Sequence, residues 1–383
     1  MSQGQVVYRH IYVHVPFCGR RCSYCDFSIS VRRVVPVARF NDAIMAELAT
    51  RAIAPGNTSV LSIYLGGGTP SKLGGEGVEN LIDRLRSHFH VEKSDAESGA
   101  VEITIEVNPE DVTTDAAIHW QAAGVNRVSL GVQSFDPGVL AWMHREHGAE
   151  KPGQAVDILR SAGIEDVSVD LIFALPAHLS RSWSDDLDRA LALRPTHVSL
   201  YGLTVEPKTP LGRWTERGEV VAADEERYES EFLEAHRTLA AAGFDHYEVS
   251  NYGLPGHRAR HNSSYWEGVP YLGLGPAAHG FDGSVRRWNI SAYAAWQDQV
   301  ERGEDPLEGS ELLSVENREA EQVYLGLRTT EGLDIRQNEL KTVTSWVDSG
   351  WAVLRDARLK LTPLGWLRLD ALAASLTALR SPS

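Results

Sequence analysis

Cys18-Gly19-Arg20-Arg21-Cys22-Ser23-Tyr24-Cys25 contains every cysteine of this 383-residue chain. Three thiols at spacing C-x3-C-x2-C, with no partner elsewhere, cannot close an even set of disulfides, and iron and sulfur are the usual occupants of such a group. A cubane cluster has four irons, and three cysteines ligate only three of them. One iron is then open to a ligand from outside the protein, which makes it a place for chemistry. Zinc is the competing reading: a structural zinc ion takes four ligands, and His14, four residues before Cys18, supplies the missing one.

The segments around the cysteines alternate in type. Residues 7–17 are rich in β-branched and aromatic side chains and read as a strand that stops at Pro16, leaving the cysteines on the loop after it. Residues 37–51 read as a helix with Phe40, Ile44 and Leu48 on one stripe. A strand over 60–65 leads into Gly66-Gly67-Gly68-Thr69-Pro70-Ser71, and a helix follows with Val78, Leu81, Ile82, Leu85 and Phe89 on one face. Further strands are expected at 101–107, 127–134, 166–173 and 196–201, with helices near 116–123, through Arg160, and over 183–193. Six strands alternating with helices imply βα units with right-handed crossovers and a parallel sheet. Six units are too few for the eight-stranded barrel, and a partly open barrel fits the count.

A helix over 224–242 ends at Gly243, a good C-cap. Beyond Asn251 the texture turns to aromatic and glycine-rich loops, read as a ligand-facing extension. The last segment reads as helix, helix, hairpin and helix, with Thr362-Pro363 starting the terminal helix. The expected organisation is therefore a core at 1–243, an extension at 244–312 and a small α+β, winged-helix-like domain at 313–383.

Composition narrows the function classes. With 43% hydrophobic and 23% charged residues the chain is expected to bury a substantial core and stay soluble. The formal charge of −15 argues against nucleic acid as a partner, because phosphate binding needs a basic surface. No apolar run approaches the ~18 residues of a membrane span, and no basic-then-apolar signal segment opens the chain. These features, with an oxygen-sensitive cluster, place the expected location in the cytoplasm.

At this point the residues match a family. Tyr12-Val13-His14-Val15-Pro16-Phe17-Cys18, with Cys22, Tyr24 and Cys25, resembles the start of radical S-adenosylmethionine (SAM) proteins of the oxygen-independent coproporphyrinogen oxidase type. The resemblance implies a partial (β/α)6 radical SAM barrel and a [4Fe-4S] cluster on Cys18, Cys22 and Cys25. SAM would chelate the open iron, and an electron from the cluster would cleave it to a 5′-deoxyadenosyl radical. By the same resemblance the SAM site draws on Gly67, Gly68 and Thr69 of the glycine motif, Glu106 before Asn108-Pro109, Gln133, Arg145 and Asp170, with Tyr12 and Tyr24 packing beside the cysteines. Taken alone, the glycines make only a turn, and Glu106 is only a charge at a strand end. His144 stands where the family commonly has glycine, and Ala174-Leu175-Pro176-Ala177-His178 departs from the usual Gly-Leu-Pro-Gly-Gln. Tyr201, Leu203, Glu206 and Thr209, and then Tyr247 through Tyr252, continue the resemblance.

Two features separate the branches. The decarboxylating oxidases carry a further cysteine just after the third and a longer N-terminal arm; here Asp26 and Phe27 follow Cys25, and 17 residues precede Cys18. His261-Asn262-Ser263-Ser264-Tyr265-Trp266 resembles the His-Asn-x-x-Tyr-Trp motif of the heme chaperone branch. The implied heme site comprises His261, Asn262, Tyr265 and Trp266, since an imidazole can ligate heme iron and aromatic rings can line a porphyrin face. His279 in Gly275-Pro276-Ala277-Ala278-His279 is a second axial candidate, and Arg287-Trp288-Asn289 is expected to support the same pocket. The resemblance thus implies a heme chaperone that passes heme to an acceptor protein, with cluster and SAM gating homodimer formation or transfer. The alternatives are an oxidative decarboxylase of coproporphyrinogen III and a pure binding module with a vestigial SAM site.

Overall fold

The computed structural model describes residues 6–53, 60–93, 95 and 99–380. Its centre is a run of six strands, β1 (His10–Val15), β2 (Ser62–Gly67), β3 (Glu102–Val107), β4 (Arg127–Gln133), β5 (Asp166–Phe173) and β6 (His197–Gly202). They lie side by side in that order, each parallel to the next. Helices α1 (Val37–Thr50), α2 (Gly74–Phe89), α3 (Thr114–Ala123), α4 (Lys151–Ser161) and α5 (Trp183–Ala192) fall between them in the chain. The expected stripes are buried: Phe40, Ile44 and Leu48 on α1, and Val78, Leu81, Ile82 and Leu85 on α2, are all 0% exposed. The six-strand partial barrel is thereby present.

Strand periodicity separates structure from chemistry. Successive side chains on a strand point to opposite faces. One face carries Ile11 and Val13, Ile63 and Leu65, Ile103 and Ile105, Val128 and Leu130, and Val167 and Val169, all inside the hydrophobic core. The other carries Tyr12 and His14, Ser62 and Tyr64, Thr104 and Glu106, Ser129 and Gly131, and Ser168 and Asp170. Register brings these polar residues into rows, with Glu106 beside Ser129 and Gly131 beside Asp170. The concave side of the sheet is therefore polar toward the C-terminal strand ends.

The region beyond Asn251 does not form the loops expected of it. Strand Tyr271–Leu274 adds to the free edge of β1 in parallel, and strands His279–Phe281, Val285–Asn289 and Leu307–Leu312 continue outward antiparallel. On the other edge Asn251–Gly253 pairs with β6, and Asp245–Glu248 follows it, completing a twelve-stranded sheet. The boundary expected at 243 thus falls within one sheet. The glycines misread as loop signals mark close backbone approach: a Cβ on Gly273 would lie 1.8 Å from the His279 carbonyl oxygen.

The C-terminal part holds helices Val315–Arg328, Leu340–Asp348 and Leu369–Arg380 and a three-stranded antiparallel sheet containing the hairpin Ala352–Arg355 and Arg358–Leu361. Thr362 caps the short helix Pro363–Trp366, accepting the Gly365 N–H at 3.2 Å. Among the described residues no helix is long and apolar enough to cross a membrane.

Candidate functional site

Two cavities open on the polar side of the sheet. The smaller, about 430 Å³, is lined by all three cysteines and by residues at the ends of β2 to β6. Thr69 Oγ1 lies 3.3 Å from Cys18 Sγ, and Arg145 Nη1 donates to Cys22 Sγ at 3.8 Å. Burial pushes the Cys18 thiol up and holds Cys25 at about 11. Thiolates in that setting need positive charge beside them, which bound iron supplies. Zinc with His14 as fourth ligand is not arranged: the His14 ring is hydrogen-bonded at Nδ1 to Tyr12 and at Nε2 to the Ser28 carbonyl. Among the described residues no three His, Cys, Asp or Glu side chains are grouped to hold a single ion. A cluster spreads its ligands over separate irons, so the wider cysteine arrangement suits it.

Around the sulfurs stands a charged frame. Glu106 accepts from the Tyr64 hydroxyl at 2.8 Å and the Gly67 N–H at 2.9 Å. Desolvation outweighs those bonds and raises its carboxyl from 4.5 to about 7. Asp170 accepts from Ser129 at 2.8 Å and Ser168 at 3.2 Å, and burial raises it to about 6. Arg145 Nη2 donates at 2.7 Å to both Asn108 Oδ1 and the Gly131 carbonyl, while its buried Nε has no partner. That orphaned donor suits an anionic group, such as an amino-acid carboxylate, in the cavity. Gly67, at φ +109°, is required: a Cβ there would sit 2.4 Å from the His14 ring.

The larger cavity, about 1420 Å³, lies between the β1 edge, the 265–286 segment and the helices Val315–Arg328 and Leu369–Arg380. Tyr265, Trp266, Tyr271 and Phe281 provide aromatic walls, and Ala373, Ala374 and Ala378 a low-relief one. Phe27, Gly67 and Glu106 line both cavities, so the two adjoin.

Residues 12–190 match the Radical SAM superfamily. The chain is 36% identical over 372 residues to "Heme chaperone HemW" of Mycobacterium tuberculosis, covering 96% of this chain and 94% of that one. The chain belongs to the HemW family. HemW of Escherichia coli is 36% identical over 271 residues, covering 70% of this chain and 69% of that one. "Radical S-adenosyl methionine domain-containing protein 1, mitochondrial" of Bos taurus is 34% identical, covering 84% and 74%. In fold, this HemW-family chain is similar to the solved coproporphyrinogen III oxidase HemN of Escherichia coli, with TM-score 0.82, 22% identity, and coverage of 99% of this chain and 92% of that one. Radical SAM membership implies a [4Fe-4S] cluster and SAM, and the cysteines, the orphaned Arg145 donor and the glycine turn fit them.

Against this family background the residues singled out from sequence divide. Cys18, Cys22, Cys25, Tyr24, Gly67, Gly68, Thr69, Glu106, Gln133, Arg145 and Asp170 line the smaller cavity together. Tyr12 does not: it stacks on Tyr64 and lines the larger one. His261 is 0% exposed and lines neither. Its Nδ1 is 2.7 Å from Ser62 Oγ and its Nε2 is 2.8 Å from the Tyr265 hydroxyl, so both ring nitrogens are committed. This departs from the expected axial role; the ring braces the floor of the barrel and aims Tyr265. Asn262 is half-buried and lines neither cavity, whereas Tyr265 and Trp266 line the larger. Of Arg287-Trp288-Asn289, Arg287 pairs with Asp305 and Asn289 bonds to Glu47, and only Trp288 reaches a candidate ligand, His279.

Sequence reading missed Ser129 and Asn108, which hold Asp170 and Arg145. The alternation Arg127-x-Ser129-x-Gly131-x-Gln133 places Ser129 on the face of Gln133 and was the available signal. It also missed Glu47, a buried carboxylate receiving Arg51, the Gly275 N–H, Asn289 and Trp296.

Proposed function

We propose that this protein is a cytoplasmic heme chaperone that binds heme in the larger cavity and passes it to an acceptor protein. Cys18, Cys22 and Cys25 would hold the [4Fe-4S] cluster, with SAM in the smaller cavity framed by Gly67, Gly68, Thr69, Glu106, Gln133, Arg145 and Asp170. The observation that carries the reading is the 1420 Å³ cavity walled by Tyr265, Trp266, Tyr271 and Phe281. It exceeds the ~300–1,000 Å³ of drug-sized ligand pockets, as a tetrapyrrole requires, and the name of the Mycobacterium tuberculosis relative supports heme as its occupant. When bound, the cluster supplies an electron to SAM. This chain's part is to hold the sulfurs, to neutralise a carboxylate at Arg145, and to keep the two sites side by side at Phe27 and Glu106.

The test is anaerobic cluster reconstitution followed by hemin titration of the Soret band. Saturation near one heme per chain, without decarboxylation of added coproporphyrinogen, is expected. SAM-dependent conversion of the porphyrinogen with no hemin binding would instead assign the protein to the oxidase reading.

A further inference from the structure

We propose that His279, and not His261, is the axial ligand this chain offers to the heme iron. The inference rests on the heme-binding reading above and deepens it. Two facts about the imidazoles decide between them. His261 spends both nitrogens inside the barrel, on Ser62 and Tyr265, and is fully buried. His279 is exposed, lines the larger cavity, and has no hydrogen bond to either ring nitrogen among the described residues. His14 also lines that cavity, but its nitrogens are taken by Tyr12 and Ser28. Among the histidines lining the cavity, only His279 therefore has a nitrogen free to coordinate.

The ring is also held in place. Its face stacks on Trp288 at 5.9 Å between centroids and 25° between planes. The turn leading to it is pinned at several points: the Gly275 N–H donates to buried Glu47 at 2.9 Å, and the Gly275 carbonyl accepts from Asn289 at 2.8 Å. The Ala277 N–H donates to the Ile290 carbonyl and the Asn289 N–H to the Ala278 carbonyl, each at 3.0 Å. Gly275 has φ +93°, and a Cβ there would sit 2.5 Å from the His14 carbonyl oxygen, so the turn is locked against β1. A ligand on such a rigid turn needs little ordering on binding. Desolvation and the nearby Arg286 both lower the His279 pKa, which keeps the ring neutral and coordinating at neutral pH. Arg286, paired with Glu321 at 2.8 Å, also lines the cavity and offers a cation to a propionate.

The experiment compares hemin titrations of the reconstituted native chain, His279→Ala and His261→Gln, each checked for folding by circular dichroism. His279→Ala is expected to shift the Soret maximum and weaken hemin binding about tenfold or more, equivalent to ~1.4 kcal/mol. Added imidazole is expected to restore the native Soret position in that variant, which a purely structural residue would not allow. His261→Gln is expected to keep the native Soret position. Unchanged spectrum and affinity in folded His279→Ala, with native binding intact, would overturn the assignment and leave the chaperone reading standing. A Soret shift in His261→Gln alone would return the ligand to His261. Failure of the native chain to bind hemin would remove the function reading itself, and this inference with it.

Discussion

Replacing His261 by alanine tests the structural role assigned to it. The ring makes two buried hydrogen bonds, to Ser62 and to Tyr265. Each contributes ~1 kcal/mol, and the Tyr265 hydroxyl left without its partner costs about 1 kcal/mol more. Ser62 retains His10, whose Nδ1 lies 2.8 Å from its hydroxyl, so no further penalty arises there. The expected loss is about 3 kcal/mol. With an unfolding entropy of ~2.1 cal/mol/K per residue, 383 residues give ~0.8 kcal/mol/K, so Tm is expected to fall by about 4 °C. Burial lowers the ring's pKa from 6.5 to about 3, aided by nearby His10, so the folded chain holds it neutral. Differential scanning calorimetry of the ligand-free chain measures the drop, and hemin titration of the same variant tests the spectrum. The reasoning fails if Tm stays within about 1 °C of the native value while the native Soret band is lost, because His261 would then be acting on heme directly.

Three further outcomes follow from the same geometry. Cys18→Ser is expected to reduce iron and acid-labile sulfide to near zero after reconstitution, while hemin affinity stays within about twofold, ~0.4 kcal/mol, because Cys18 lines only the smaller cavity. Glu106, held at about 7 by burial, keeps its proton in the folded chain between about 4.5 and 7 while the unfolded chain releases it. Stability of the ligand-free protein should therefore fall as pH rises through that window, and Asp170 adds a loss of the same sign. Thermal melts of Glu106→Gln across this range should show a shallower fall; an unchanged slope counts against the buried carboxyl. Glu47→Ala leaves the Arg51 side chain buried without its carboxylate and frees Asn289, Trp296 and the Gly275 turn. A cost of about 3–5 kcal/mol is expected in urea unfolding, and a change under about 1 kcal/mol would be within the range of an exposed pair and refute the network's role.

How much of this could be read along the chain depends on the range of the interactions. The cysteine spacing, the six strands and the helix stripes are local patterns, and each appears in the structure where its periodicity put it. The residues of the smaller cavity were named through the family resemblance, and the structure brings them together because parallel strands bring their C-terminal ends to one side of the sheet. What the strand Tyr271–Leu274 does was not legible. Its glycines read as loop, because nothing local says that a strand more than 200 residues downstream of the β1–β2 crossover will complete the other edge of β1. The two histidines show the limit most directly. His261 carries the stronger motif and His279 the weaker one, yet burial and hydrogen bonding decide which imidazole keeps a nitrogen open to the cavity. Those depend on Ser62 and Glu47, brought to them from distant segments by the fold, and on Tyr265 and Trp288, which lie nearby in the chain. The sequence by itself determined the cysteine spacing, the polar strand ends and the alternating core. Only the tertiary structure decided which side chains were consumed in holding the barrel together and which nitrogen was left free, because a hydrogen bond across the sheet depends on spatial register, which spacing along the chain does not encode.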